Sequence, residues 1–198
     1  MKLITLLLSI LFSNIIYSQD SLNTELPYHQ IPEYPLDYSS GNILSRMIDG
    51  LGYRYYWSTK DLREEDLNYK PSEDGKTTAE TLEHLYGLSG TILNGCLNKP
   101  NIRPQPENNM DYADMRAATL RNLKQASEAC LNMTAEEVQD LNIIFQRGEN
   151  ISSLDFWHMI NGPIADAIYH AGQIVAFRRA SGNPLDSGVN VFMGKTKE

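Results

Sequence analysis

Residues 97–109 constrain this chain most, because Pro100, Pro104 and Pro106 forbid a continuous helix through them. Extended at ~3.3 Å per residue, such a segment can cross the length of a helical bundle. The helices on either side are then free to run parallel, with both of their C-terminal ends at one pole.

Around that crossover the apolar residues repeat with helical spacing. Helix one starts near Gly41 and keeps Leu44, Met47, Ile48, Leu51 and Tyr55 on one face, with Tyr53, Tyr56 and Trp57 thickening its end. Thr77 and Glu80 form a capping box that opens helix two. It runs to about Gly95 and carries Leu82, Leu85, Leu88, Ile92, Leu93 and Cys96 on its apolar arc. Helix three, about 111–131, repeats Tyr112, Met115, Thr119, Leu123, Ala126 and Cys130. The β-prone run Ile143-Ile144-Phe145 then meets Arg147-Gly148 as a hairpin or loop. Ser152 with Asp155 is expected to start the fourth helix, and Gly162-Pro163 to kink or restart it. The predicted architecture is all-α: a four-helix bundle with a long crossover between helices two and three. In that topology Cys96 and Cys130 share a pole, as a disulfide or as two buried free thiols.

Lys2, an apolar run from Leu3 to Ile16 and the small Ser18 read as a secretory signal peptide over residues 1–18. The run falls short of the ~20 apolar residues of a spanning helix and no basic stop-transfer patch follows, so no stable membrane anchor is expected after cleavage. The expected product is exported to the periplasm or the extracellular space. It comprises a polar N-terminal arm (19–40), the bundle (41–184) and a C-terminal tail (185–198). Cleavage leaves 16 lysines and arginines against 25 acidic residues, a formal charge of −9. With no basic stripe and that charge, a nucleic-acid partner is excluded.

Chemistry concentrates in the last helix. Asp166 and His170 are four residues apart, so both side chains can reach one ion. Gln173 and Phe177 continue their stripe, and Ile164, Ile168, Ala171 and Val175 form the opposite face, so the helix reads as buried on two sides. Only Asp166 is charged between Pro163 and Phe177, which is poor material for a solvated face. A bound metal suits both side chains best, the alternative being a solvated Asp/His pair. Arg178 and Arg179, followed by Gly182 and Pro184, read as a dipole-complementing helix end. His84 projects at the margin of the helix-two arc, as a metal ligand or a satisfied core histidine. His158 and Gln173 are assigned behind the ligands or to the core, and His29 to solvent. Tyr53, Tyr56 and Trp57 are core residues or the lining of a pocket mouth; Glu80 belongs to the capping box.

The stretches Thr77 to His84, Tyr169-His170-Ala171-Gly172-Gln173-Ile174 and Arg178-Arg179-Ala180-Ser181-Gly182-Asn183-Pro184 resemble the DinB/YfiT-like superfamily over about residues 41–184. The resemblance implies a four-helix bundle with a parallel middle pair and a site of three histidines around a divalent metal. His84 matches the one on the second helix, and Asp166 and His170 match the two on the last. Asp166 stands where the usual residue is histidine. Two imidazoles and a carboxylate are a ligand set of catalytic zinc and of non-haem Fe(II).

The expected function is therefore a metal-dependent hydrolase of an unidentified small molecule. Its mononuclear divalent site is built on His84, Asp166 and His170, with zinc favoured over nickel, manganese or iron. Two alternatives stay open: a non-catalytic bundle that binds a ligand or partner, its metal structural or lost, and a metal-dependent thiol transferase. A homodimer is compatible with all three.

Overall fold

Three of the four long helices open on a side-chain cap from the residue just before them. In the computed structural model, which describes residues 25–197, Ser39 caps α1 (Ser40–Ser58), Thr77 caps α3 (Thr78–Cys96) and Asp111 caps α4 (Tyr112–Cys130). Each side chain accepts a backbone N–H of the first turn, one of the four donors a helix start leaves unpaired. The fourth long helix, α7 (Ala165–Ala180), has no such cap. It follows α6 (Trp157–Met159) through a wide π-helical turn, Ile160–Ile164, broken at Gly162 (φ −98°, ψ −106°) just before Pro163. Short helices α2 (Glu64–Asn68) and α5 (Ala135–Gln139) fill connections. The signal-peptide segment 1–18 and the first residues of the arm lie outside the described residues. Among the described residues no helix is long and apolar enough to cross a membrane.

Cross-helix hydrogen bonds fix the directions. Asn122 Nδ2 donates to Ser89 Oγ (3.1 Å) midway along α4 and α3, and Cys130 meets Cys96 at their C-terminal ends, so these two helices run parallel. α1 runs antiparallel to α4: the Ser45 and Ser127 hydroxyls pair at 2.7 Å near one end, and Arg116 reaches the Tyr56 carbonyl (3.0 Å) at the other. The α6–α7 segment runs antiparallel to α3, with Met159 against Gly95 and Asp166 against His84. At Gly95 the absence of a Cβ lets the Met159 methyl pack close against the α3 backbone. Cys96 and Cys130 are both buried and meet as free thiols rather than as a disulfide. The contact with Cys130, reinforced by burial, holds the Cys96 thiol far above its ordinary pKa.

The chain is not strictly all-α. β1 (Pro100–Ile102) lies inside the proline-rich crossover and pairs parallel with β2 (Asn142–Arg147), which forms a hairpin with β3 (Asn150–Asp155). A second, two-stranded sheet joins β4 (Val189–Asn190) to β5 (Lys195–Thr196). The fourth helical segment therefore does not start at Ser152. Ser152–Asp155 complete the hairpin ladder, and the helix begins at Trp157, with Phe156 and Met159 buried.

The C-terminal end of α1 is satisfied from outside its own sequence. Its last turn has no basic residue. Arg116 donates to the Tyr56 carbonyl, Tyr112 to that of Thr59, and Arg178 Nη1 to those of Trp57 (2.9 Å), Ser58 (3.1 Å) and Lys60 (3.1 Å). Arg178 does lie in the last turn of α7, but at 5% exposure it has a further role the sequence did not indicate: it caps a neighbouring helix from the core. The arm is also more than a solvated cover. Tyr28 and Ile31 are buried, and the Tyr28 hydroxyl donates to the buried Asp49 (3.0 Å), whose carboxyl burial pushes above its usual range. His29, assigned to solvent by sequence, packs against Trp57 with ring centroids 5.0 Å apart and planes tilted by 55°.

Asp66 locks α2 to the end of α7. It accepts from Arg63 Nε (3.0 Å), Arg63 Nη2 (2.9 Å), the Ser181 hydroxyl (2.5 Å) and Asn183 Nδ2 (2.6 Å), with its side chain fully buried. The Arg63 guanidinium, with these hydroxyl and amide donors, holds its carboxyl far below the ordinary carboxylate range. Because the folded pKa is depressed, the stabilisation is complete above the unfolded value of about 4 and is lost as pH falls below it. Thermal unfolding midpoints measured from pH 5 down to about pH 2.5 are expected to fall more steeply for the wild type than for Asp66→Asn. Parallel slopes would mean that other carboxylates govern acid unfolding.

Candidate metal centre

α3 and α7 cross so that the helix-two histidine meets the first two turns of the last helix. His84 Nε2 lies 3.0 Å from Asp166 Oδ2, and His170 Nε2 lies 3.3 Å from Asp166 Oδ1. The two imidazoles meet edge to face, centroids 4.7 Å apart at 87°. One donor atom from each of the three residues falls within 4.8 Å of the others. The three residues expected as ligands are thus together, contributed by two elements 82 positions apart in sequence.

The donor set fits a divalent cation. A tetrahedral ion ~2.1 Å from its ligands separates them by ~3.4 Å, near the spacing at which each imidazole nitrogen stands from one of the two Asp166 oxygens. Two neutral nitrogens and one carboxylate suit zinc and other first-row divalent ions. The cluster is half-buried: side-chain exposure is 39% for His84, 42% for Asp166 and 20% for His170, which leaves an approach from solvent.

α7 is buried along one stripe rather than on two sides. Ile164, Ala167, Ala171, Ile174 and Arg178 face the core, while Ala165, Tyr169, Gly172 and Ala176 are exposed. Asp166, His170 and Gln173 occupy the flank between these faces. Gln173 lies where the sequence put it, its Oε1 2.5 Å from His170 Nδ1.

Two other assignments are corrected. His158 is neither core nor behind the ligands. The shortened fourth segment turns Phe156 and Met159 inward, which leaves His158 exposed. Tyr53, Tyr56 and Trp57 line no mouth at this site, because they sit on the inner face of α1 at its C-terminal end. The Tyr53 hydroxyl pairs with Thr196, Tyr56 carries the Arg116 guanidinium over its ring, and Trp57 donates to the His29 carbonyl.

What borders His84 instead is a groove of ≈ 910 Å³ between α3, the crossover and the start of α4, lined by Glu83, Gln105, Asn108, Asn109 and Asp114 among others. Sequence reasoning missed these residues. Pro104 and Pro106 signalled an extended segment, and nothing local signalled that it passes beside His84. Glu80 stays outside the metal group and closes the capping box, its carboxylate accepting the Thr77 N–H at 2.7 Å.

No protein-family model matches the chain, and no curated protein is detectably similar to it in sequence. Among solved structures, the crystal structure of the DinB-like protein YjoA from Bacillus subtilis matches it with a TM-score of 0.52. That match has 11% identity and covers 76% of this chain and 99% of the other. At that identity the likeness bears on architecture alone: this chain has a DinB-like fold.

Proposed function

We propose that the chain is an exported metal-dependent hydrolase of a small molecule. Its four-helix bundle would hold one divalent ion, zinc first, on His84, Asp166 and His170. The observation that carries this reading is the convergence of two imidazoles and one carboxylate from α3 and α7 within 4.8 Å. Three donors and a half-open approach are what a catalytic site keeps, whereas a structural zinc site closes with four protein ligands. Among the described residues the group has three members, which favours catalysis over a purely structural ion. A bound ion would supply Lewis acidity and a water acidified towards neutrality. The chain's own part is to bring His84 and His170 beside the Asp166 carboxylate, to add the Asp166 charge there, and to border His84 with a groove lined by both carboxylates and amides.

Elemental analysis of protein purified without chelator or affinity histidines tests the reading. The wild type is expected to carry about one equivalent of a divalent metal, and His84→Ala and His170→Ala to carry none. A panel of ester, amide and phosphoester substrates should then show turnover that chelation abolishes and the ion restores. A wild type that neither retains nor takes up metal on titration overturns the hydrolase assignment and leaves a non-catalytic binding bundle.

A further inference from the structure

The shortest contact in the cluster lies behind it. Gln173 Oε1 is 2.5 Å from His170 Nδ1, while His170 Nε2 is 3.3 Å from Asp166 Oδ1. A neutral imidazole carries one hydrogen, on one of its two nitrogens. A hydrogen on Nε2 would make a bond to the Asp166 carboxylate, and such charge-assisted bonds contract to about 2.7–2.9 Å. The long distance is on the Asp166 side and the short one on the Gln173 side, so the hydrogen belongs on Nδ1, donated to the Gln173 carbonyl oxygen. Nε2 is then left with its lone pair directed at Asp166 and the facing His84 ring. Gln173 can hold this arrangement because it lies three residues beyond His170 on the same helix, on the same flank. The edge-to-face contact with His84 limits rotation of the ring away from it.

We propose that Gln173 is a positioning residue that fixes His170 in the Nδ1–H tautomer and keeps Nε2 free to bind a metal. The consequence for metal binding rests on the proposed metal site; the tautomer itself does not. An amide in this place differs from a carboxylate in adding no charge behind the ligand, so it orients the ring while leaving Asp166 as the one charged member of the set.

The test uses full-length protein labelled with ¹⁵N-histidine, at about pH 8, where an ordinary imidazole is neutral. Imidazole ¹⁵N shifts are read without metal for the wild type, Gln173→Met and Gln173→Glu. His170 is expected as Nδ1–H in the wild type, to move towards Nε2–H in Gln173→Met, and to return to Nδ1–H in Gln173→Glu, with the His84 pattern unchanged in all three. In competition titrations Gln173→Met is expected to weaken zinc binding by about 10- to 100-fold. Gln173→Glu, which keeps the acceptor, should stay within roughly threefold of the wild type. Nε2–H in the wild type, or an unchanged tautomer in Gln173→Met, overturns the proposal. A wild type that shows Nδ1–H and binds no zinc supports the positioning role and sinks the metal site instead, so the two failures are distinguishable.

Discussion

Replacing Arg178 by methionine is expected to lower folding stability by roughly 3–5 kcal/mol, because two buried carbonyls and a part-buried one lose their donor at once. Trp57, Ser58 and Lys60 have the Arg178 Nη1 group in common, and Nε and Nη2 of the same guanidinium bond Asn183 at 2.6 and 3.1 Å. Asn183 in turn donates to Asp66, so the cost extends to the join between α2 and the end of α7. Methionine keeps most of the side chain's length and apolar stem, which confines the loss to the polar head. Lysine is not expected to rescue it: a compact ammonium has three donors, and it cannot span the carbonyls of α1 and both oxygens of Asn183 as a planar fork does. Urea unfolding followed by circular dichroism measures the difference, and the thermal midpoint should drop by about 10 °C for a chain of this size. A loss below about 1 kcal/mol would mean that water reaches those carbonyls and that Arg178 is replaceable.

That residue also marks where sequence reasoning reached its limit. The starts of the first three long helices were legible because their causes are local: Ser39, Thr77 and Asp111 bond the N–H groups of the turns they precede. The kink at Gly162-Pro163 was legible for the same reason, since proline removes a donor and glycine tolerates the distorted ψ. The partners of the last carbonyls of α1 were not. The carbonyls ending α1 are paired by Arg116, Tyr112 and Arg178, 53 to 121 residues away, and no window of sequence contains both partners. Seen alone, Arg178 has the same explanation as the exposed Arg179. The hairpin was half legible: Ile143-Ile144-Phe145 shows β propensity, but Ser152 and Asp155 imitate a helix start while pairing across the ladder with Phe145 and Asn142. Tyr53, Tyr56 and Trp57, read as core or as the lining of a pocket mouth, prove to be core, a choice that composition leaves open until burial is known.

The grouping of His84, Asp166 and His170 was legible for a different reason. Asp166 and His170 share a helix face by spacing alone, and the contact with His84 follows once α3 and α7 are neighbours. Its orientation towards solvent was not legible, because Ala165, Tyr169, Gly172 and Ala176 make the outer face of α7 weakly polar and nearly indistinguishable from a buried one. A helix with small residues on its solvent side can sit at the rim of a groove while reading as though it were inside.

The carboxylate is the member of the trio with the largest expected effect on metal binding, and two substitutions separate its charge from its shape. Asp166→Asn keeps the side-chain size and one acceptor oxygen, and removes the negative charge that faces both imidazoles at 3.0 and 3.3 Å. Opposite unit charges 4 Å apart attract by roughly 4 kcal/mol at an effective dielectric of 20. With Asp166 42% exposed, part of that attraction is screened, so the expected loss of zinc affinity is about 100-fold, or about 2.7 kcal/mol. Asp166→His instead builds the three-histidine set that the family resemblance makes usual. It is expected to keep zinc and nickel within about tenfold of the wild type while losing manganese, because removing the only oxygen ligand removes the donor that harder ions prefer. Competition titrations of zinc, nickel and manganese against the three proteins measure both effects, and the exposure of the side chain makes folding insensitive to either change. Equal affinities for wild type and Asp166→Asn would show that Asp166 only orients the two rings. A wild type that discriminates among the three metals as Asp166→His does would show that its oxygen never reaches the ion.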